Sequence, residues 1–236
     1  MEQFNEISAL LALTMGAAWA SGINLYATIA MLGYMGATGN IDLPAELQVL
    51  QDPMVILAAV FMYCVEFFAD KTPGVDTGWD AMHTFIRIPA GALLAAGAVG
   101  EIGPGAELAA AIVGGSLAAG SHMTKAGSRM LINTSPEPVS NWTASITEDI
   151  LVIGGLWTAL NHPILFLCLL ALFIVIMIWL LPKIWRGIKK IFAAIKGFFS
   201  RNDGTADKAT TDSPSAPLQD SAASTAPPPP PGPPAH

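Results

Sequence analysis

The sequence predicts an all-α integral membrane protein, and three observations carry that prediction. Of 236 residues, 53% are hydrophobic and 12% charged, with a mean hydropathy of +0.52, whereas soluble domains carry about 25% charged residues. The run Pro163 to Leu181 holds no charge over 19 residues, which at about 1.5 Å per residue nearly covers a hydrocarbon core of about 30 Å. The polar stretch DKTPGVDTGWDAMHTFIRIPAG, Asp70 to Gly91, sits between two of the most apolar parts of the chain.

The elements follow in order. MEQFNEISALLAL at the start has acids where a signal peptide needs bases, and its apolar part outruns a short signal core, so it reads as the start of a mature span. Six membrane segments are expected, at about 8–36, 53–70, 78–100, 106–131, 142–160 and 163–182, within a transmembrane domain covering 1–182. In the first, Ser21, Asn24 and Thr28 form a polar stripe beside Gly16, Gly22 and Gly33, read as glue for close helix packing, like the glycines of IVGGSLAAG at Ile112 to Gly120. The loops carrying Asp42, Glu46 and Asp52, and the GEIGPGAE stretch, are acidic, while Lys183, Arg186, Lys189, Lys190, Lys196 and Arg201 follow the sixth segment. Counting bases near span ends places both termini in the cytoplasm.

Residues 183–201 read as a basic amphipathic helix lying on the inner leaflet against anionic headgroups. From 202 to 236 the chain is rich in Ser, Thr, Asp and Pro and cannot bury a core, which predicts a disordered cytoplasmic tail. Cys64 and Cys168 both lie in apolar runs, so neither a disulfide framework nor a CxxC metal site is expected; the net charge of −7 is not one field, since acids concentrate in the first half and the tail and bases cluster after Leu181, and nucleic acid is not the implied partner.

An internal repeat is the main organising feature. Thr72 to Gly91 aligns without gaps with Ser135 to Gly154, an offset of 63, pairing Pro73 with Pro136, Trp79 with Trp142, Ala81 with Ala144, Thr84 with Thr147 and Gly91 with Gly154. The repeat units, 53–100 and 106–160, each read as a helix, a Pro-containing break and a second helix that starts polar and ends apolar. Two spans per unit keep the copies in the same orientation. The apolar parts of the second helices, Ile88 to Val99 and Ile150 to Leu160, are 12 and 11 residues long, against about 20 needed to span. Their polar halves are therefore expected to enter the membrane region.

There Asp76, Asp80, His83 and Arg87, at spacings of 4, 3 and 4, share one helical face, as do Asn141, Ser145 and Glu148 or Asp149 in the second copy. Glu66 with Asp70, and Lys125 with Arg129, are i,i+4 pairs at the ends of the first helices. Such groups do not face lipid cheaply and should turn toward one another or toward water. The alignment sets Glu66 opposite Arg129, which suggests that pair, and Asp76 or Asp80 with Lys125.

The motifs EFFADKTPGVDTGWDAMHTFIRIPAG and KAGSRMLINTSPEPVSNWTASITEDI resemble those of a bacterial family of small multi-pass membrane proteins catalogued only as a domain of unknown function. The resemblance covers about residues 8–175, omitting the basic segment and tail. It implies the membrane fold and carries no catalytic residue.

Intramembrane ionisable residues mark function by default. The leading expectation is a transporter or channel for a small ion or polar solute, with Glu66, Asp70, Asp76, Asp80, His83, Arg87, Lys125, Arg129, Asn141, Glu148 and Asp149 binding it. A lipid-phosphate protein gripping headgroups with Arg87, Lys125 and Arg129, and a scaffold whose buried charges are structural, remain alternatives. An enzyme is not expected, since no HExxH, GxSxG or P-loop pattern occurs, and no cofactor is implied. Expected partners are the bilayer, a small ion or solute, and a second copy of the chain.

Overall fold

The computed structural model describes residues 1–72, 75–133 and 138–209, with side chains through residue 190 except at 138 and 141, and again at 193. The breaks at Pro73 and Pro136, the side chains of Asn141, Lys196 and Arg201, and the chain from 210 onward lie outside the described residues. In order come α1 (Glu2–Ala37), a 3-10 turn (Ala45–Gln51), α2 (Pro53–Ala69), α3 (Val75–Ala98), a 3-10 turn (Gly100–Ile102), α4 (Pro104–Ile132), α5 (Pro138–Asn161) and α6 (Pro163–Ala209). Four helices begin on proline, whose missing N–H is unneeded in a first turn. Asp52 caps α2 by accepting from the Met54 amide at 2.7 Å.

The bounds of α5 are those of α3 displaced by 63 residues at both ends, and the last residues of α2 and α4 differ by the same 63. The chain divides into two units, Met1–Phe192 and Ala193–His236. Contrary to the expected separation near Leu181, α6 runs on through Pro182 and ends at Ala209 rather than Arg201. A proline inside a helix forfeits one hydrogen bond. The helix-forming Leu, Ile and Lys residues around it tolerate that local cost.

Within the first unit α1 is central and packs on α2, α3, α4 and α5. Gly22 is what lets α1 reach α4, because a Cβ there would overlap the Ala118 carbonyl and the Ser121 hydroxyl. Gly114 does the same between α4 and α3, where a Cβ would overlap Ala95. Trp19, Phe166 and Phe173 then join α1 to α6 edge to face.

The first helix is not continuous. Asn24 has φ −146 and ψ 97, so its backbone leaves the helix and starts it again. Its Oδ1 accepts the Ala27 amide at 3.0 Å, capping the second half of α1 as an N-cap does.

Burial is inverted relative to a soluble protein. On α3, Phe85 is 83% exposed and Leu93 71%, while Arg87 is 0% exposed. Among the described residues, two helices are long and apolar enough to cross a membrane alone, Glu2–Ala37 and Pro163–Lys190, or three if Ala45–Gln51 and α2, bent by 67°, form one broken span. The polar first halves of α3 and α5 are what keep them below that threshold.

Candidate functional site

Five carboxylates and three cations meet where α2, α3, α4 and α5 surround the break in α1. Glu66 and Asp70 come from one face of α2, and Lys125 and Arg129 from one face of α4, each pair one turn apart. The ion contacts follow the same order along both helices. Lys125 Nζ lies 3.1 Å from Glu66 Oε1 and 2.9 Å from Asp70 Oδ2, and Arg129 Nη2 lies 3.4 Å from Asp70 Oδ2.

From α3, Arg87 donates to Glu66 Oε1 at 2.6 Å and, seven residues back along its own face, to Asp80 Oδ1 at 3.0 Å. Asp80 stands 3.9 Å from Lys125 and Asp76 Oδ2 stands 3.9 Å from Arg129. From α5, Glu148 takes a two-pronged grip from Arg129, at 3.1 and 2.7 Å, the charge-assisted geometry a guanidinium favours. Asn133 donates to both Asp76 oxygens, at 2.9 and 2.8 Å.

The expected pair of Glu66 with Arg129 is replaced by Glu66 with Arg87 and Lys125. The matched turns put Arg129 one turn past Glu66, level with Asp70, and Arg87 fills the space that the alignment assigned to Arg129. The expected approach of Asp80 to Lys125 is present at 3.9 Å. His83 stands apart from the network: it contacts the Tyr26 hydroxyl at 3.0 Å and the Trp79 carbonyl at 2.9 Å. Asp149 accepts from Asn24 Nδ2 at 3.2 Å, linking α5 to the break in α1.

Asn133 was not among the expected site residues, and two further contributors escaped sequence reasoning. His122 is buried between Arg87 Nη1, 3.2 Å from its Nδ1, and Thr84 Oγ1, 2.7 Å from its Nε2. A guanidinium only donates, so Nδ1 accepts and Nε2 carries the proton. The signal was present, because His122, Lys125 and Arg129 follow the 3 and 4 spacing of one helical face. The second is the backbone of α1, where Ile23 O, freed by the break, accepts from Lys125 Nζ at 3.1 Å.

Charge does not balance among these groups, since five carboxylates face three cations, and the neighbouring buried Lys71 and half-buried Asp149, one charge of each sign, leave the excess at two. Among the described residues, Glu66 Oε2, Asp70 Oδ1 and Asp80 Oδ2, and on the donor side Arg87 Nε, are buried without a hydrogen-bond partner. Among the described residues no group of three His, Cys, Asp or Glu is arranged to hold a metal ion. A crevice of about 440 Å³ between α1, α5 and α6, past Trp19, Gly154 and Phe166, is apolar and holds none of the charged residues.

Fold and site together define a membrane protein, helical throughout the described residues, that buries one cluster of charges among its helices and exposes many of its large apolar side chains. The chain belongs to the domain of unknown function family DUF4126, whose model matches residues 11–183. No curated protein and no solved structure matches it.

Proposed function

We propose that the protein is a multi-pass transporter or channel that moves a small ion or polar solute, a cation above all, through the buried charge network. One observation carries this reading: an unbalanced set of five carboxylates and three cations is buried against a helix that breaks at Asn24. Moving an ion out of water costs several kcal/mol even after relaxation. A purely structural network gains by matching its charges, whereas one that hosts a mobile cation needs surplus acid. Helices broken at membrane depth are also how transporters expose backbone carbonyls to ions.

In this reading all six long helices cross the membrane, the 63-residue displacement of helix ends marks a duplication, and both termini face the cytoplasm of a bacterial inner membrane. Exposed Lys183, Arg186, Lys189 and Lys190, beside an exposed Trp185, meet anionic headgroups. No catalytic role is assigned.

The scaffold reading draws support from the nine ion contacts within 4.0 Å that the described residues make with one another. Lipid-phosphate binding ranks below both, because Arg87 and Arg129 are fully buried and spend their terminal nitrogens on carboxylates, His122 and the Asp70 carbonyl. The test is flux in liposomes holding the purified protein, scanning protons, sodium, potassium and ammonium, with lipid scrambling measured alongside. Cation flux that Asp80→Asn abolishes supports the proposal. Vesicles no more permeable than protein-free ones to every solute would leave the scaffold reading standing.

A further inference from the structure

The ammonium of Lys125 is surrounded as a bound ion would be. Asp70 Oδ2 lies at 2.9 Å, Glu66 Oε1 and Ile23 O at 3.1 Å, Glu148 Oε2 at 3.6 Å and Asp80 Oδ1 at 3.9 Å. Three of these satisfy its three N–H donors; the other two add only electrostatic attraction. One of the five oxygens is a backbone carbonyl that exists as a free acceptor only because α1 breaks after it. Around the same cation, Glu66, Asp70 and Asp80 each retain a buried oxygen with no partner, although these residues are 3% exposed or less.

We propose that this cage is a monovalent-cation site, filled here by the tethered ammonium of Lys125, which a free ammonium- or potassium-sized cation occupies once that ammonium leaves. The nearest oxygens stand at 2.9–3.1 Å, the lengths of ammonium N–H···O hydrogen bonds, so the cage as it stands fits an ammonium and would have to contract for calcium, which takes oxygens at about 2.3–2.6 Å, or magnesium, at about 2.0–2.1 Å. The surplus of carboxylates argues in the same direction, because the cage attracts cations beyond the one it already holds. Lys125 would then compete with the mobile ion, leaving when it arrives and returning when it departs.

As a statement about the transported ion this rests on the cation-transport reading above; as a statement about a site it is tested without flux. The experiment is thermal unfolding of purified Lys125→Ala in detergent, in chloride salts of ammonium, potassium, sodium and N-methylglucamine at matched ionic strength. With the tether removed, ammonium or potassium should raise Tm over N-methylglucamine by about 5–11 °C at a hundredfold excess over Kd. The wild type, its cage already filled, should show no such ranking. Should Lys125→Ala fail to accumulate, Glu66→Gln/Lys125→Ala removes one charge of each sign and keeps Asp70, Asp80, Glu148 and Ile23 O; the same ranking is expected.

A Tm indifferent to the cation in the folded variant, or chains that no cation rescues, overturns the site. Cation-dependent Tm without flux sinks the transport reading and leaves the site, while flux with an indifferent Tm does the reverse.

Discussion

Arg87 is the position where the network can be probed with the clearest expected asymmetry. Its guanidinium is fully buried and joins Glu66 at 2.6 Å to Asp80 at 3.0 Å. Arg87→Gln leaves both carboxylates buried and raises the formal acid excess from two to three. Breaking a buried pair by removing one partner costs about 3–5 kcal/mol. For a chain of this size each kcal/mol lowers Tm by about 2–4 °C, so a drop of about 6–20 °C is expected.

Glu66→Gln acts in the opposite sense, reducing the excess to one and keeping a side-chain oxygen for Arg87 and Lys125. Its cost should be smaller, about 1–3 kcal/mol. Because the two side chains touch, the double variant should recover about 0.5–3 kcal/mol relative to the sum of the singles. Glu66 with Arg129, which the structure does not pair, should recover less. The assay is loss of helical circular dichroism on heating in one detergent, for both singles, the double variant and the Arg129 control. Additive singles, or an Arg87→Gln no worse than Glu66→Gln, would refute the network as drawn.

Three further outcomes are expected. Asn24→Ala removes the cap of the second half of α1 and the donor to Asp149, and should cost about 1 kcal/mol, or about 2–4 °C in Tm. Gly22→Val forces α1 away from the Ala118 carbonyl and should cost at least about 1–3 kcal/mol, read as lost Tm and weaker accumulation in the membrane. Cys64 and Cys168 are exposed on the protein but fall on lipid in the membrane reading, so a membrane-impermeant maleimide should label neither in intact vesicles and both after denaturation. Rapid labelling of either in vesicles would place that face in water.

Much of the helical layout was legible in the chain. Proline and glycine stops and apolar run lengths placed the starts of α2, α4 and α6 and the ends of α2 and α4 within two residues of their observed bounds. The polar faces of α3 and α4 were legible as well, since spacings of 3 and 4 bring Asp76, Asp80 and Arg87, or Lys125 and Arg129, to one side of a helix whatever surrounds it. The continuation of α6 through Pro182 was open in the sequence, as a separate interfacial helix or a continuation of the last span, because a proline signals a local defect and whether the helix stops there depends on its neighbours.

The sequence by itself determined that the charges would be buried and grouped, because a chain this apolar has nowhere in a hydrocarbon layer to leave them exposed. It did not determine who pairs with whom. Partner choice depends on the register between helices far apart in the chain, set by close contacts such as Gly22 on Ala118 and Gly114 on Ala95. That register put Lys125 level with Glu66 and Arg129 level with Asp70, and gave Arg87 the place expected for Arg129. The break in α1 was likewise a tertiary decision. Asn24 can sit in a helix or cap one, and it caps because Asp149 on α5 engages its amide and Lys125 on α4 takes the carbonyl that the break sets free.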